Sequence, residues 1–135
     1  MWTSEQKELM KAAGEAAAKA YAPYSRFKVG AAVLTNKGIF HGANIENGSS
    51  NLGICAERVA ISHARMNDGN NIIGVAVNCI DANTEDSRPN NHMPCGACRQ
   101  WLAELAPDAW IITNGVEQVF SLEDILPIPF NFSHK

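Results

Sequence analysis

Cys95 and Cys98, in "PCGACRQ", stand three positions apart, a spacing that puts two thiols on one face of a helix where they can grip a single ion. Taken alone the pair has three readings: a redox dithiol, half of a zinc site, or two small residues in a first helical turn. Cys55, forty residues upstream in "ICAERVAI", supplies a third thiol at the start of another helical run. If both helix starts lie on one edge of a sheet, the three sulfurs converge, and each helix start brings roughly half a positive charge that favours thiolates. Three protein ligands leave one tetrahedral position open, which marks a catalytic zinc rather than a structural one. Glu57 is too close to Cys55 to be a comfortable extra ligand, yet it can overhang the open position and carry protons. Arg58 and Arg99, each within a turn of a ligand, are candidate donors to the sulfurs, drawing charge back from a net-negative centre. Both also read as ordinary solvated helix arginines.

Those residues must be positioned by the elements around them. Thr3 to Gln6 reads as a capping box, and Leu9, Ala13, Ala16, Ala17 and Ala20 form one stripe of a helix ending near "APYS". "FKVGAAVL" sets Phe27, Val29, Ala31 and Val33 against Lys28, Gly30, Ala32 and Leu34, and with "IFHGANI" across "TNKG" it predicts a hairpin. A helix is expected over Cys55 to Met66, closed by Gly69 as a left-handed cap, then a buried central strand "NIIGVAVN". Residues 81–94 are polar with two prolines and read as a long loop. A third helix spans Cys95 to Leu105, and "AWIIT" and "VEQVF" pair antiparallel because an Asn114–Gly115 connection is too short for a parallel return. Ser121 to Asp124 caps a short last turn. The expected architecture is α/β: a mixed sheet covered by helices, in one domain over residues 1–135.

Cys-x-Glu followed by Pro-Cys-x-x-Cys is the signature of zinc nucleobase deaminases. "CAER" at 55–58, "PCGACRQ" at 94–100, "APYSRFKVGAAVL" at 22–34, "GANIEN" at 42–47 and "LEDILPIPF" at 122–130 together resemble the small homotetrameric cytidine deaminases, in order and over nearly the whole chain. The resemblance implies a three-layer α/β/α sandwich around a five-stranded mixed sheet whose last strand is antiparallel. It implies Zn2+ on Cys55, Cys95 and Cys98. It further implies that Glu57 protonates the pyrimidine ring nitrogen during hydrolytic attack on the amine-bearing carbon of cytidine or deoxycytidine, giving uridine or deoxyuridine and ammonia. Phe27 would pack on the base, Asn44 and Glu46 would hydrogen-bond the ribose 3'-hydroxyl, and the Ala56 backbone would meet the base edge. Phe130 resembles an aromatic that reaches a neighbouring subunit's pocket.

Simpler roles compete. Phe27 is by pattern the first core residue of a strand, Asn44 and Glu46 are strand-end polar groups, and Cys79 is a small apolar filler. His41, His63 and His134 read as solvated. His92, three before Cys95, lies near enough to approach the site, and Trp2, Trp101 and Trp110 read as packing or interface aromatics. Two features depart from the family: the segment between "CAER" and "PCGAC" is several residues longer, and Ser50 stands where the family carries a Tyr that borders a neighbouring subunit's nucleoside. The lost ring leaves open a related amino-pyrimidine or nucleoside analogue, such as blasticidin S or isocytosine, as substrate. A non-catalytic zinc-stabilised binding module is a further reading, opposed by the open ligand position and Glu57.

With 135 residues and 46% hydrophobic content the chain carries enough apolar surface for a core without disulfide staples. A formal net charge of −3 with singly scattered Lys and Arg offers no phosphate-binding stripe, which argues against nucleic acid. The longest aliphatic run, Ile72 to Val77, is far short of a membrane span, and "MWTSEQKELMKAAG" lacks a secretory pattern. A cytoplasmic location is expected.

Overall fold

The computed structural model describes residues 1–82 and 92–132. The segment 83–91, which holds most of the long loop expected over 81–94, and His134 lie outside the described residues.

The chain runs α1 (Ser4–Ala17), β1 (Val29–Thr35), β2 (Gly38–Ala43), a 3-10 turn (Ser50–Leu52), α2 (Ala56–Met66), β3 (Ile72–Cys79), α3 (Gly96–Leu105), β4 (Trp110–Thr113), β5 (Val116–Phe120) and α4 (Leu122–Ile125). The strands form one sheet in the order β2-β1-β3-β4-β5. Only β3 and β4 are parallel; the other neighbours are antiparallel. This is the mixed five-stranded sheet expected from the resemblance, with β3 central and buried and β5 returning through the Asn114–Gly115 turn, where Gly115 takes φ +88°.

Helices cover both faces. Leu9, Met10 and Ala13 of α1 pack with Ala32, Ala76 and Ile112 on one side. On the other, Ala60, Ile61 and Ala64 of α2, Leu102 of α3, and Leu122 and Ile125 of α4 pack with Ala31, Val33, Val75, Val77 and Ile111. Alternate residues of β1 and β3 thus feed opposite cores, as a period-two strand must. Close approach is possible because the contact residues are small. A Cβ on Gly30 would run into the Ala13 carbonyl of α1, and one on Gly42 would sit 2.5 Å from the Ala60 nitrogen of α2.

The expected capping box holds: Gln6 N donates to Thr3 Oγ1 at 3.2 Å and Thr3 N to Gln6 Oε1 at 3.0 Å. Three boundaries differ from the pattern. The first helix stops at Ala17, because Ala18, Lys19 and Ala20 bond three residues back and tighten the chain into a turn. The left-handed residue that closes α2 is Asp68, φ 64°, not Gly69. Gly69 is small for another reason: a Cβ there would come within 3.0 Å of Phe40 and of Thr35 Oγ1. The first strand starts at Val29, not Phe27, since the backbone groups of Phe27 and Lys28 bond side chains: Phe27 N donates to Ser25 Oγ, Phe27 O accepts from Asn44 Nδ2, and Lys28 N donates to Asp81 Oδ2.

Candidate functional site

Cys55 and Cys95 are each the N-cap of their helix, one residue outside the expected helix start, and neither spends its side chain on capping. Their sulfurs instead face each other at 3.6 Å, with Cys98 Sγ 3.5 Å from Cys95 Sγ. All three sulfurs lie within 4.8 Å of one another and none is in a disulfide. Tetrahedral zinc with metal–sulfur bonds of about 2.3 Å requires sulfurs roughly 3.8 Å apart, so the cluster fits such an ion. The reason is topological. The loop after β2 and the loop after β3 both emerge at one edge, and each feeds a helix whose first turn carries cysteine.

Electrostatics favour the thiolate at Cys55. Hydrogen bonding from Cys98 holds the Cys55 thiol down to about 5, with Arg58 adding to the effect, and the Cys98 thiol is pushed up in turn. Arg58 Nη2 donates to Cys55 Sγ at 3.5 Å. Arg99 does something else. Its Nε donates to Pro94 O at 2.8 Å and its Nη1 to Ile125 O at 2.7 Å, so it pins the residue before Cys95 and the end of α4.

Beside the sulfurs is a cavity of about 190 Å³ lined by Phe27, Val29, Asn44, Cys55, Ala56, Glu57, Val77, Cys79, Met93 and Cys95. Glu57 is only 4% exposed. Burial raises its carboxyl to about 7, and the neighbouring Cys55 thiolate adds to the rise. A carboxyl held there gains and loses a proton near neutrality, as an acid–base group needs. Apart from Asn44, the remaining walls are apolar.

Several expected site residues come together here, and others do not. Phe27, free of the strand, is 37% exposed and forms a pocket wall, not a core position. Asn44 reaches the same cavity while holding the start of β1: its Oδ1 accepts from Val29 N at 2.9 Å and its Nδ2 donates to Phe27 O at 2.9 Å. Ala56, fully buried, lies on the wall.

Glu46 and Ser50 line a separate cavity of about 250 Å³ with Tyr24, Ser25, Asn47 and Gly53. The Ser25 hydroxyl, followed by the Ser25 and Tyr24 amides, donates to the Glu46 carboxylate and lowers its pKa. Phe130 does not line the cavity beside the sulfurs and lies instead with Gln100, Trp101 and Glu104 of α3. Its backbone is gripped by Gln100 through bonds of 2.8 and 3.0 Å while its ring is 72% exposed.

Pattern reading missed Val77 and Met93 as pocket walls and placed Cys79 only as filler. Cys79 is buried, as a filler should be, and its thiol is pushed up to about 12 by burial, yet it also lines the cavity. The signal for Met93 was its place two before a ligand. His41 and His63 are exposed as expected, the rings 5.9 Å apart. His92 is the surprise: it is completely buried.

The likenesses to known proteins agree with this geometry. The chain is 40% identical over 131 residues to the cytidine deaminase of Halalkalibacterium halodurans, covering 93% of this chain and 94% of that protein. It is 39% identical over 119 residues to the cytidine deaminase of Mycobacterium tuberculosis, covering 87% and 84%. Among solved structures, the Burkholderia pseudomallei cytidine deaminase superposes with a TM-score of 0.77 at 39% identity, covering 96% of this chain and all of the other. The Mycobacterium tuberculosis enzyme superposes at 0.80 with 33% identity, again over 96% of this chain. The family model of the cytidine and deoxycytidylate deaminase zinc-binding region matches residues 3–114 and so takes in all three cysteines and Glu57. A fold, a cluster of three thiols and a buried acid that agree with that match lead to one conclusion: this chain belongs to the zinc-binding cytidine and deoxycytidylate deaminase family.

Proposed function

We propose that the protein hydrolytically deaminates cytidine and deoxycytidine, consuming one water and yielding uridine or deoxyuridine and ammonia. The observation that carries this is Glu57, buried beside three convergent sulfurs in a pocket whose other walls are apolar apart from Asn44, with its carboxyl held near 7. Cys55, Cys95 and Cys98 hold Zn2+, which when bound supplies the Lewis acidity that makes water nucleophilic at neutral pH. Glu57 takes the proton of the attacking water, delivers it to the ring nitrogen, and a further transfer lets the amine leave as ammonia. Phe27 lies against the base, and the Ala56 amide, in the unbonded first turn of α2, meets the base edge. Asn44 orients the ribose while keeping β1 in place. Glu46 has lone pairs left over from its bonds to Tyr24 and Ser25 with which to accept from a ribose hydroxyl. Arg58 tempers the charge on Cys55.

Residues 1–135 act as one domain, in the cytoplasm, in a homotetramer to which Ser50 and the ring of Phe130 contribute at neighbouring pockets. Both are exposed, as residues awaiting a partner copy are. A second reading rests on Ser50 itself. Its short hydroxyl offers a nucleoside far less contact than a tyrosine, so a related amino-pyrimidine such as isocytosine or blasticidin S is the alternative substrate. Ultraviolet assays of kcat/KM on zinc-replete protein across cytidine, deoxycytidine, cytosine, isocytosine and blasticidin S separate the two. Cytidine and deoxycytidine are expected to lead, and negligible turnover of both refutes the first reading.

A further inference from the structure

We infer that His92 is a positioning residue, which through Asn114 holds Met93 as a wall of the pocket in register with the end of β3. The inference rests on the pocket being the nucleoside's, as proposed above. His92 is fully buried, and its Nδ1 lies 3.1 Å from Asn114 Oδ1. The orientation of the Asn114 amide is settled by its other partners. Cys79 N donates to Oδ1 at 2.9 Å, and Nδ2 donates to Cys79 O at 3.1 Å. A backbone amide can only donate and a carbonyl only accept, so Oδ1 is the oxygen and His92 Nδ1 must carry the hydrogen.

Asn114 also donates its own backbone amide to Val77 O at 3.1 Å. The ring of His92 packs beneath the turn that follows, where a Cβ on Gly115 would sit 2.8 Å from Nε2. One side chain, Asn114, therefore ties the last turn of β3 to the returning loop. Both connected parts face the cavity: Val77 and Cys79 on one side, and Met93, the residue directly after His92, on the other.

The segment has two anchors with different reach. Arg99 grips the Pro94 carbonyl at 2.8 Å and so secures the start of α3 with its sulfurs. His92 secures the other end, beyond Met93. Loosening His92 should move the Met93 wall and leave the three sulfurs in place.

The test uses the zinc-loaded chain with His92→Phe, which fills the space without a donor, and His92→Asn, whose amide nitrogen can occupy the place of Nδ1. In His92→Phe, KM for cytidine should rise about tenfold while kcat stays within about threefold and zinc remains stoichiometric. Dilute peroxide should oxidise Met93 several-fold faster, read by peptide mass, with the buried Met10 and exposed Met66 as unchanged internal references. His92→Asn should return both readouts close to native. Asn114→Ala should reproduce the effect, and the double variant should be no worse than Asn114→Ala alone. Native KM and native Met93 oxidation in His92→Phe overturn the proposal, as do additive losses in the double variant. So does a fall of kcat and zinc content in step with melting temperature, which is what a purely scaffolding residue would give. If His92→Phe does not fold, Asn114→Ala carries the same readouts. If the native protein turns over no amino-pyrimidine, the assigned reaction fails, while the Met93 oxidation comparison still decides the positioning role.

Discussion

Glu57 is the only buried carboxylate among the described residues, and folding it there works against the stability of the chain. In the metal-free protein its pKa rises from 4.5 to about 7, so its contribution is fully present below about 4.5 and lost as pH climbs through 7. At 1.36 kcal/mol per unit the loss approaches about 3 kcal/mol by pH 8. Glu57→Gln keeps the shape without the charge. The metal-free variant, under reductant, should therefore match native stability at about pH 4 and exceed it by up to about 3 kcal/mol at pH 8 in urea melts. An unchanged pH dependence would show that Glu57 titrates as an ordinary exposed acid. The catalytic counterpart is loss of about 10² to 10⁴ in kcat with zinc retained, since a positioned acid–base group is worth that much. Deamination persisting in Glu57→Gln at native rate would remove Glu57 from the chemistry.

At the scale of elements, the site is the meeting of two helix starts, and both are braced from behind. Gly30 lets α1 lie directly on β1, with the Ala13 carbonyl where a Cβ would be. Gly30→Ala should cost about 3 kcal/mol or more through overpacking, measured by urea denaturation, because backbone rather than a flexible side chain must yield. Arg99 joins α3 to α4 through two carbonyls at 2.8 and 2.7 Å. Replacing it with Met keeps the stem and removes both bonds, and a loss of about 2 to 3 kcal/mol is expected since charge-assisted bonds are the strong ones. Ser121→Ala strips the capping box from α4, with a smaller expected loss of about 1 kcal/mol.

For the whole molecule, an ion held by Cys55, Cys95 and Cys98 ties together parts of the chain separated by β3 and the long loop. Because it binds the folded chain, it stabilises by mass action, about 2.7 kcal/mol at a hundredfold excess over Kd. Treatment with a chelator should lower the melting temperature, and added zinc should restore it. A protein indifferent to both would have no such ion in its folded state. The proposed homotetramer would bury exposed aromatics on the α3 face such as Trp101 and Phe130. Phe130→Ser should shift sedimentation toward smaller species, whereas unchanged sedimentation would take that ring out of the interface.

The linear pattern contained the three cysteines that converge, the acid beside them, the capping boxes at Thr3 and Ser121 and the antiparallel last strand. These depend on residue type at short spacing, on a turn too short for any other return or, for Cys55 forty residues from Cys95, on the motif that carries the family resemblance. Phe27 shows where such reading stops. Alternation assigns it to a core, and only the late start of β1, with the Phe27 backbone bonded to the Ser25 and Asn44 side chains, leaves it to wall a pocket. Arg99 and His92 show the same limit from the other side. Each looked like a polar residue near a ligand, and each proved to be committed to a backbone or amide partner brought close by the packing of α4 or by the β4–β5 turn. Spacing along a chain reports which groups can share a face. Which group a buried donor finds across the sheet is decided by the tertiary fold, because its partner lies many residues away and only packing brings the two within hydrogen-bond distance.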